Sequence, residues 1–225
     1  SALDMAGNVW EWVLDWYDKG YYQISPDENP FGPETGNYKA MRGGGWGNIY
    51  GLFGAYQRNA GLISSYGSLG FRCAYPAEEQ TPEPSPVPTP ESESDLGIGS
   101  TLMREKDGME MVYVPEGSFI MGDDDTYDAS PEHEVYLDAY WIDKFEVTNS
   151  QYAQCVEAGI CTDPFTSRSF TRNAYYQTEE FATYPVVYLS WDQANNYCGW
   201  VGGNLPTEAQ WEKAARGTDG RAYPW

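Results

Sequence analysis

Apolar and polar residues alternate with period two along GMEMVYVPEGSFIMG (108–122), interrupted by Pro-Glu-Gly at 115–117. This pattern predicts a β-hairpin that ends in the acidic loop 122–125. HEVYLDAYWID (133–143) continues the alternation and reads as a further strand, after which Thr-Asn starts a helix from about Ser150 to Ala158. SWDQANNYCGWVGG (190–203) carries helical apolar spacing behind a Ser190 cap and stops at its glycines. LPTEAQWEKAARG (205–217) is a third helix, with Thr207 as cap, Glu208 and Glu212 in its early turns and Gly217 as its stop. At the other end of the chain, DMAGNVWEWVLDWY (4–17) crowds four Trp or Tyr rings and three acids into one short stretch.

Between these patterned regions the chain changes character. EEQTPEPSPVPTPESESD (78–95) alternates proline with polar residues and holds six acids and no base. Such a segment has no apolar surface to bury and no helical register, so it reads as a linker. In polyproline II geometry its 18 residues span on the order of 55 Å at about 3.1 Å per residue. The expected organisation is an ordered segment 1–77, a Pro/Glu/Ser linker 78–103 and a second ordered segment 104–225.

Composition narrows the function classes. Aromatic residues make up 16% of the chain, beside 24 glycines, which fits a loop-rich α+β fold whose buried area comes from large rings. The 34 acids against 13 bases give a net charge of −21, a sign that repels nucleic acid and anionic membranes. No apolar run approaches the roughly 18 residues that cross a bilayer. The one histidine, His133, sits at a strand entry and reads as structural, so neither a Ser-His-Asp nor a multi-histidine metal arrangement can be built.

GMEMVYVPEGSFIMG, IDKFEVTNSQY, YPVVYLSWDQANNYCGWVGGNLPTEAQWEKAARG and YPW resemble the N-terminal half of a formylglycine-generating enzyme, or sulfatase-modifying factor, domain. DMAGNVWEWVLDWY, RGGGWGN and LGFRCA resemble the C-terminal half of the same domain, so the halves stand in reversed order. Two arrangements produce this order. In the favoured one, residues 1–77 end one module of a tandem array and residues 104–225 begin the next; in the other, a circular permutation lets both halves close into one module. The resemblance implies a C-type lectin-like fold.

It also implies chemistry that this sequence departs from. Members of the family bind copper(I) through a cysteine pair after Arg-Gly-Gly and oxidise a cysteine in a Cys-x-Pro-x-Arg segment of a sulfatase to formylglycine. Here no cysteine lies between Trp46 and Cys73, so copper is not expected in residues 1–77. The expectation is a non-catalytic binding module for a protein or glycan ligand; the alternative is an oxidase whose cysteines lie outside this sequence. Glycine-rich 48–68 corresponds to loops that line the ligand face in this fold, which makes Asn48, Tyr50, Phe53, Tyr56 and Arg58 the candidate ligand contacts. Arg42 and Arg72 are expected to be structural.

Cys155 and Cys161 are close enough in sequence for a local disulfide, and the resemblance pairs Cys73 with Cys198. In the array arrangement those two belong to different modules. An even cysteine count beside such a linker points to an oxidising, extracytoplasmic or secreted setting, taken to be bacterial. Asp4, Gly7, Val9 and Glu11, with Glu146 from EVTN, correspond to a structural calcium site of the family, and their hard oxygen donors suit calcium.

Overall fold

A computed structural model describes residues 2–45, 54–62, 69–77, 96–217 and 220–223. The first segment forms one four-stranded sheet in the order β3-β2-β1-β4, from β1 (Trp10–Trp16), β2 (Lys39–Arg42), β3 (Arg58–Gly61) and β4 (Leu69–Phe71). β1 runs antiparallel to β2 and parallel to β4. A second sheet, in the order β5-β10-β7-β6, combines β5 (Ala74–Pro76) with β6 (Thr101–Met103), β7 (Glu110–Val114) and β10 (Tyr140–Asp143). β8 (Gly117–Met121) and β9 (His133–Leu137) form a separate two-stranded sheet, which Glu28 of the first segment joins through one bridge to Tyr136.

β5 belongs to the first segment and β10 to the second, and they pair antiparallel with Trp141 opposite Tyr75. The two segments therefore share one sheet. They also share their cores. Trp12 and Phe71 pack with Tyr152, Leu189 and Tyr197 in one cluster, and Val13 and Tyr22 pack with Phe119, Ile142 and Trp211 in another. Indole N–H groups stitch the seam in both directions: Trp12 Nε1 donates to the Leu189 carbonyl at 3.1 Å, and Trp191 Nε1 to the Val13 carbonyl at 2.8 Å. The two segments thus pack on one another, and apolar faces that sequence alone leaves without a partner are buried against each other.

The expected hairpin at 108–122 also differs. β7 pairs with β6 and β10 rather than with β8. Pro115 brings no N–H to a ladder, and Gly117 at φ +130° turns the chain outward, so β8 leaves to pair with β9. The predicted single strand after residue 133 breaks at Asp138–Ala139 into β9 and β10.

The helices follow their sequence signals. α1 (Asn149–Glu157), α2 (Trp191–Trp200) and α3 (Glu208–Arg216) each begin with the same reciprocal cap: Thr148 with Gln151, Ser190 with Gln193 and Thr207 with Gln210. In each pair the hydroxyl accepts the glutamine N–H while the glutamine side chain accepts the cap residue's N–H, which satisfies two otherwise orphaned donors. The three-residue bend after α2 demands a small residue. A Cβ on Gly203 would run into the Tyr75 ring and the Ala74 carbonyl, so glycine is what lets α2 approach β5.

Candidate functional site

α3 carries four charged side chains into the interior: Glu208, Glu212, Lys213 and Arg216 are all buried. Burying ions costs several kcal/mol each unless partners replace the lost water. The first segment supplies arginine partners for Glu208 and Glu212, while Lys213 and Arg216 donate to groups of the second segment. Arg42 on β2 donates to Glu208 Oε2 at 3.0 Å, to Glu212 Oε2 at 2.5 Å, to the Ala55 carbonyl at 2.8 Å, and to the Tyr22 hydroxyl at 3.0 Å. Arg58 on β3 grips both oxygens of Glu208. Glu212 Oε1 accepts from Gly122 N–H at 2.8 Å and from Arg216 at 3.0 Å, one helical turn further on.

Asp15 completes this cluster by accepting the Glu208 backbone N–H at 2.8 Å. Burial, reinforced by the nearby Glu208 carboxylate, pushes Asp15 up to about 8. Glu208 shifts the other way: burial opposes its charge, but Arg58 and Arg42 outweigh burial and hold it below the usual carboxylate range. Burial and the two arginines thus drive the neighbouring carboxyls in opposite directions.

A second network surrounds Arg72. Its Nε and Nη2 donate to the two oxygens of Glu11 at 2.7 and 2.8 Å, and its remaining donors reach the carbonyls of Leu3, Asp143 and Lys144. Trp211 Nε1 adds a bond to Glu11 at 3.0 Å. A third network, Arg104 with Asp107 and Asp143, ties β6 to β10 and takes in the hydroxyls of Tyr75 and Tyr197. In each network a residue of 2–77 meets residues of 100–225.

These contacts redistribute the expected calcium donors. Both oxygens of Glu11 are committed to Arg72, so Glu11 is a structural counter-ion rather than a cation ligand. Asp4, Asn8 and Glu146 instead border one cavity of about 460 Å³. There Glu146 accepts from Asn8 Nδ2 at 2.9 Å and lies 4.0 Å from Arg72. Burial, then the Glu11 charge, pushes Glu146 up to about 8. Asp4, at φ +56°, and Gly7, at φ +92°, bend the turn that presents this rim. Among the described residues no three His, Cys, Asp or Glu side chains converge as a metal site.

Of the expected ligand contacts, Asn48, Tyr50 and Phe53 lie outside the described residues. Tyr56 is half-buried and packs on the cluster around Tyr22 and Trp211. Arg58 is corrected: its side chain is fully buried against Glu208, which removes it from any ligand face. Arg42 and Arg72 are structural, as expected. The signal in sequence for the α3 cluster is the spacing of Glu208, Glu212 and Arg216, which recur every four residues and so line one face of the helix.

Both cysteine pairs are disulfides. Cys73–Cys198 has an S–S distance of 2.04 Å and a Cα–Cα distance of 5.5 Å, and Cys155–Cys161 closes the end of α1. No cysteine is left as a thiol. Among the described residues no helix is long and apolar enough to cross a membrane.

The sulfatase-modifying factor enzyme 1-like domain matches residues 2–77 and 100–225. A formylglycine-generating enzyme of Thermomonospora curvata is 34% identical over 157 residues, covering 51% of this chain and 52% of that protein. An inactive C-alpha-formylglycine-generating enzyme 2 of Mus musculus is 32% identical, covering 51% of this chain and 50% of that protein. A serine/threonine-protein kinase of Chlamydia caviae is 35% identical over 48% of this chain and 19% of its own length. The chain spans about half or less of the length of these relatives.

Proposed function

Because the chain belongs to the sulfatase-modifying factor family, we propose that it is a non-catalytic member that binds a protein or glycan ligand outside the cytoplasm, as one unit of a tandem array. The observation that carries this reading is the fate of the cysteines. The chain has four, and all four are spent in two buried disulfides. Copper(I) is a soft ion that needs thiolate, and a disulfide sulfur does not supply it. The mouse relative's name records that the family holds members described as inactive. The disulfides themselves fit an oxidising compartment.

Calcium belongs to this proposal in a reduced form. Asp4 and Glu146, with the carbonyls of Gly7 and Val9, remain as structural donors, while Glu11 leaves the set to Arg72.

The oxidase alternative is tested by incubating the chain with copper(I), oxygen and a Cys-x-Pro-x-Arg peptide and following the peptide mass. The expected result is an unaltered peptide under conditions in which an active formylglycine-generating enzyme converts it. Formylglycine in the product would overturn the proposal.

A further inference from the structure

A second cleft, of about 320 Å³, opens beside the calcium-type rim, between the turn at Asn8 and the long connection from α1 to α2. Its apolar part is an aromatic group. Tyr175 and Phe181 stack at 5.3 Å, and Tyr184 stands edge-on to Phe181 at 5.4 Å. Backbone bonds lock these rings in place: the Tyr175 hydroxyl donates to the Pro185 carbonyl at 2.6 Å, and Asn149 Nδ2 donates to the Phe181 carbonyl at 2.8 Å. Despite that anchoring, Tyr184 keeps 51% of its surface exposed.

The polar part centres on an arginine outside the buried ion pairs. Arg42, Arg58, Arg72, Arg104 and Arg216 all lie within 4.0 Å of a carboxylate. Arg172, which lines this cleft, has no carboxylate among the described residues within that distance, although acids outnumber bases 34 to 13. Its guanidinium is 6.0 Å from the Phe181 ring. A tight turn holds its backbone, with Ser169 N–H donating to the Arg172 carbonyl at 2.9 Å and Arg172 N–H to Ser169 Oγ at 3.1 Å. An exposed guanidinium kept out of ion pairs in so acidic a protein is available to an anion that comes from outside. Glu180, Ser169 and Thr171 line the same cleft and supply acceptors and hydroxyls.

Resting on the binding-module reading, we propose that this cleft binds an acidic saccharide through a hexuronate unit. The apolar face of the sugar lies on the exposed Tyr184 ring, which the buried Phe181 backs, its carboxylate pairs with Arg172, and its hydroxyls donate to Glu180 and exchange bonds with Ser169 and Thr171. A simple anion would leave the rings unused, and a neutral sugar would leave Arg172 unpaired. The cleft lies at the lower end of the size range of small-ligand pockets, which suits one or two sugar units rather than a long chain.

Isothermal titration with trigalacturonate, a hyaluronan tetrasaccharide and the methyl ester of trigalacturonate tests this. The expected result is millimolar or tighter binding of at least one acidic probe. Arg172→Ala and esterification should each weaken it about tenfold or more, as for loss of a charge-assisted bond. Tyr184→Ala should weaken it as well. Both side chains are exposed, so the melting temperatures of the variants should stay at the wild-type value. Absence of binding by both acidic probes, or wild-type affinity in Arg172→Ala, overturns the cleft assignment. Neither result touches the binding-module reading, which falls instead if the copper assay yields formylglycine.

Discussion

Glu208→Ala is expected to cost about 3–5 kcal/mol, the range for breaking a buried ion pair by removing one partner. The variant would leave the guanidinium of Arg58 buried with no ion-pair partner within 4.0 Å among the described residues and would strip Arg42 of one of its two. Against a total stability of roughly 5–15 kcal/mol for a domain, this is a large fraction. Asp15→Asn is the contrast within the same cluster. Burial favours the neutral form of folded Asp15, so an amide keeps that neutrality and can still accept the Glu208 N–H. The sign of the pH effect follows. Asp15 loses its proton near 4 when unfolded but near 8 when folded, so the stability it contributes is full below about 4 and is lost as pH rises toward 8. Glu146 acts in the same direction. Urea midpoints across that window should show a large drop at every pH for Glu208→Ala, and for Asp15→Asn a pH profile flatter than the wild type. A small, pH-independent effect of Glu208→Ala would mean that the arginines find other partners.

The second large effect belongs to the Cys73–Cys198 disulfide. Its half-cystines are 125 residues apart, against 6 for Cys155–Cys161. Loop-closure entropy assigns about 5 kcal/mol to the long bridge and about 2 kcal/mol to the short one. Replacing Cys73 and Cys198 together by alanine should therefore destabilise the protein more than twice as much as replacing Cys155 and Cys161. Equal urea midpoints for the two double variants would contradict that account. The linker matters to this difference, because without the bridge it lets the two segments diffuse apart on unfolding.

What the sequence disclosed was mostly local. Thr148, Ser190 and Thr207 announce their helices because a hydroxyl three residues before a glutamine can cap only one way, and all three helices start there. Pairing is a different kind of fact. Nothing in GMEMVYVPEGSFIMG shows that β7 will prefer β10 to β8, since the alternation is the same whichever neighbour a strand finds. Arg58 misleads for a related reason: in a glycine-rich stretch it reads as surface chemistry, and only the burial of Glu208 on another segment turns it into a structural ion. Glu11 and Glu146 stood together as expected donors, yet Arg72 intervenes between their roles, taking Glu11 by a two-point grip and leaving Glu146 at the rim. The aromatic cleft was invisible because its residues, from Asn8 to Val187, are brought together by tertiary packing rather than by any repeating spacing.

Closure of residues 2–77 onto residues 100–225 within one chain is tested most directly by mixing unlabelled protein with uniformly ¹⁵N-labelled protein, both reduced and unfolded, and refolding them together in air. Proteolysis without reductant then releases the peptide pair that contains Cys73 and Cys198. Intrachain closure yields only wholly light and wholly heavy pairs. A substantial fraction of mixed pairs would show that the segments complete one another between chains, and would contradict the single closed module.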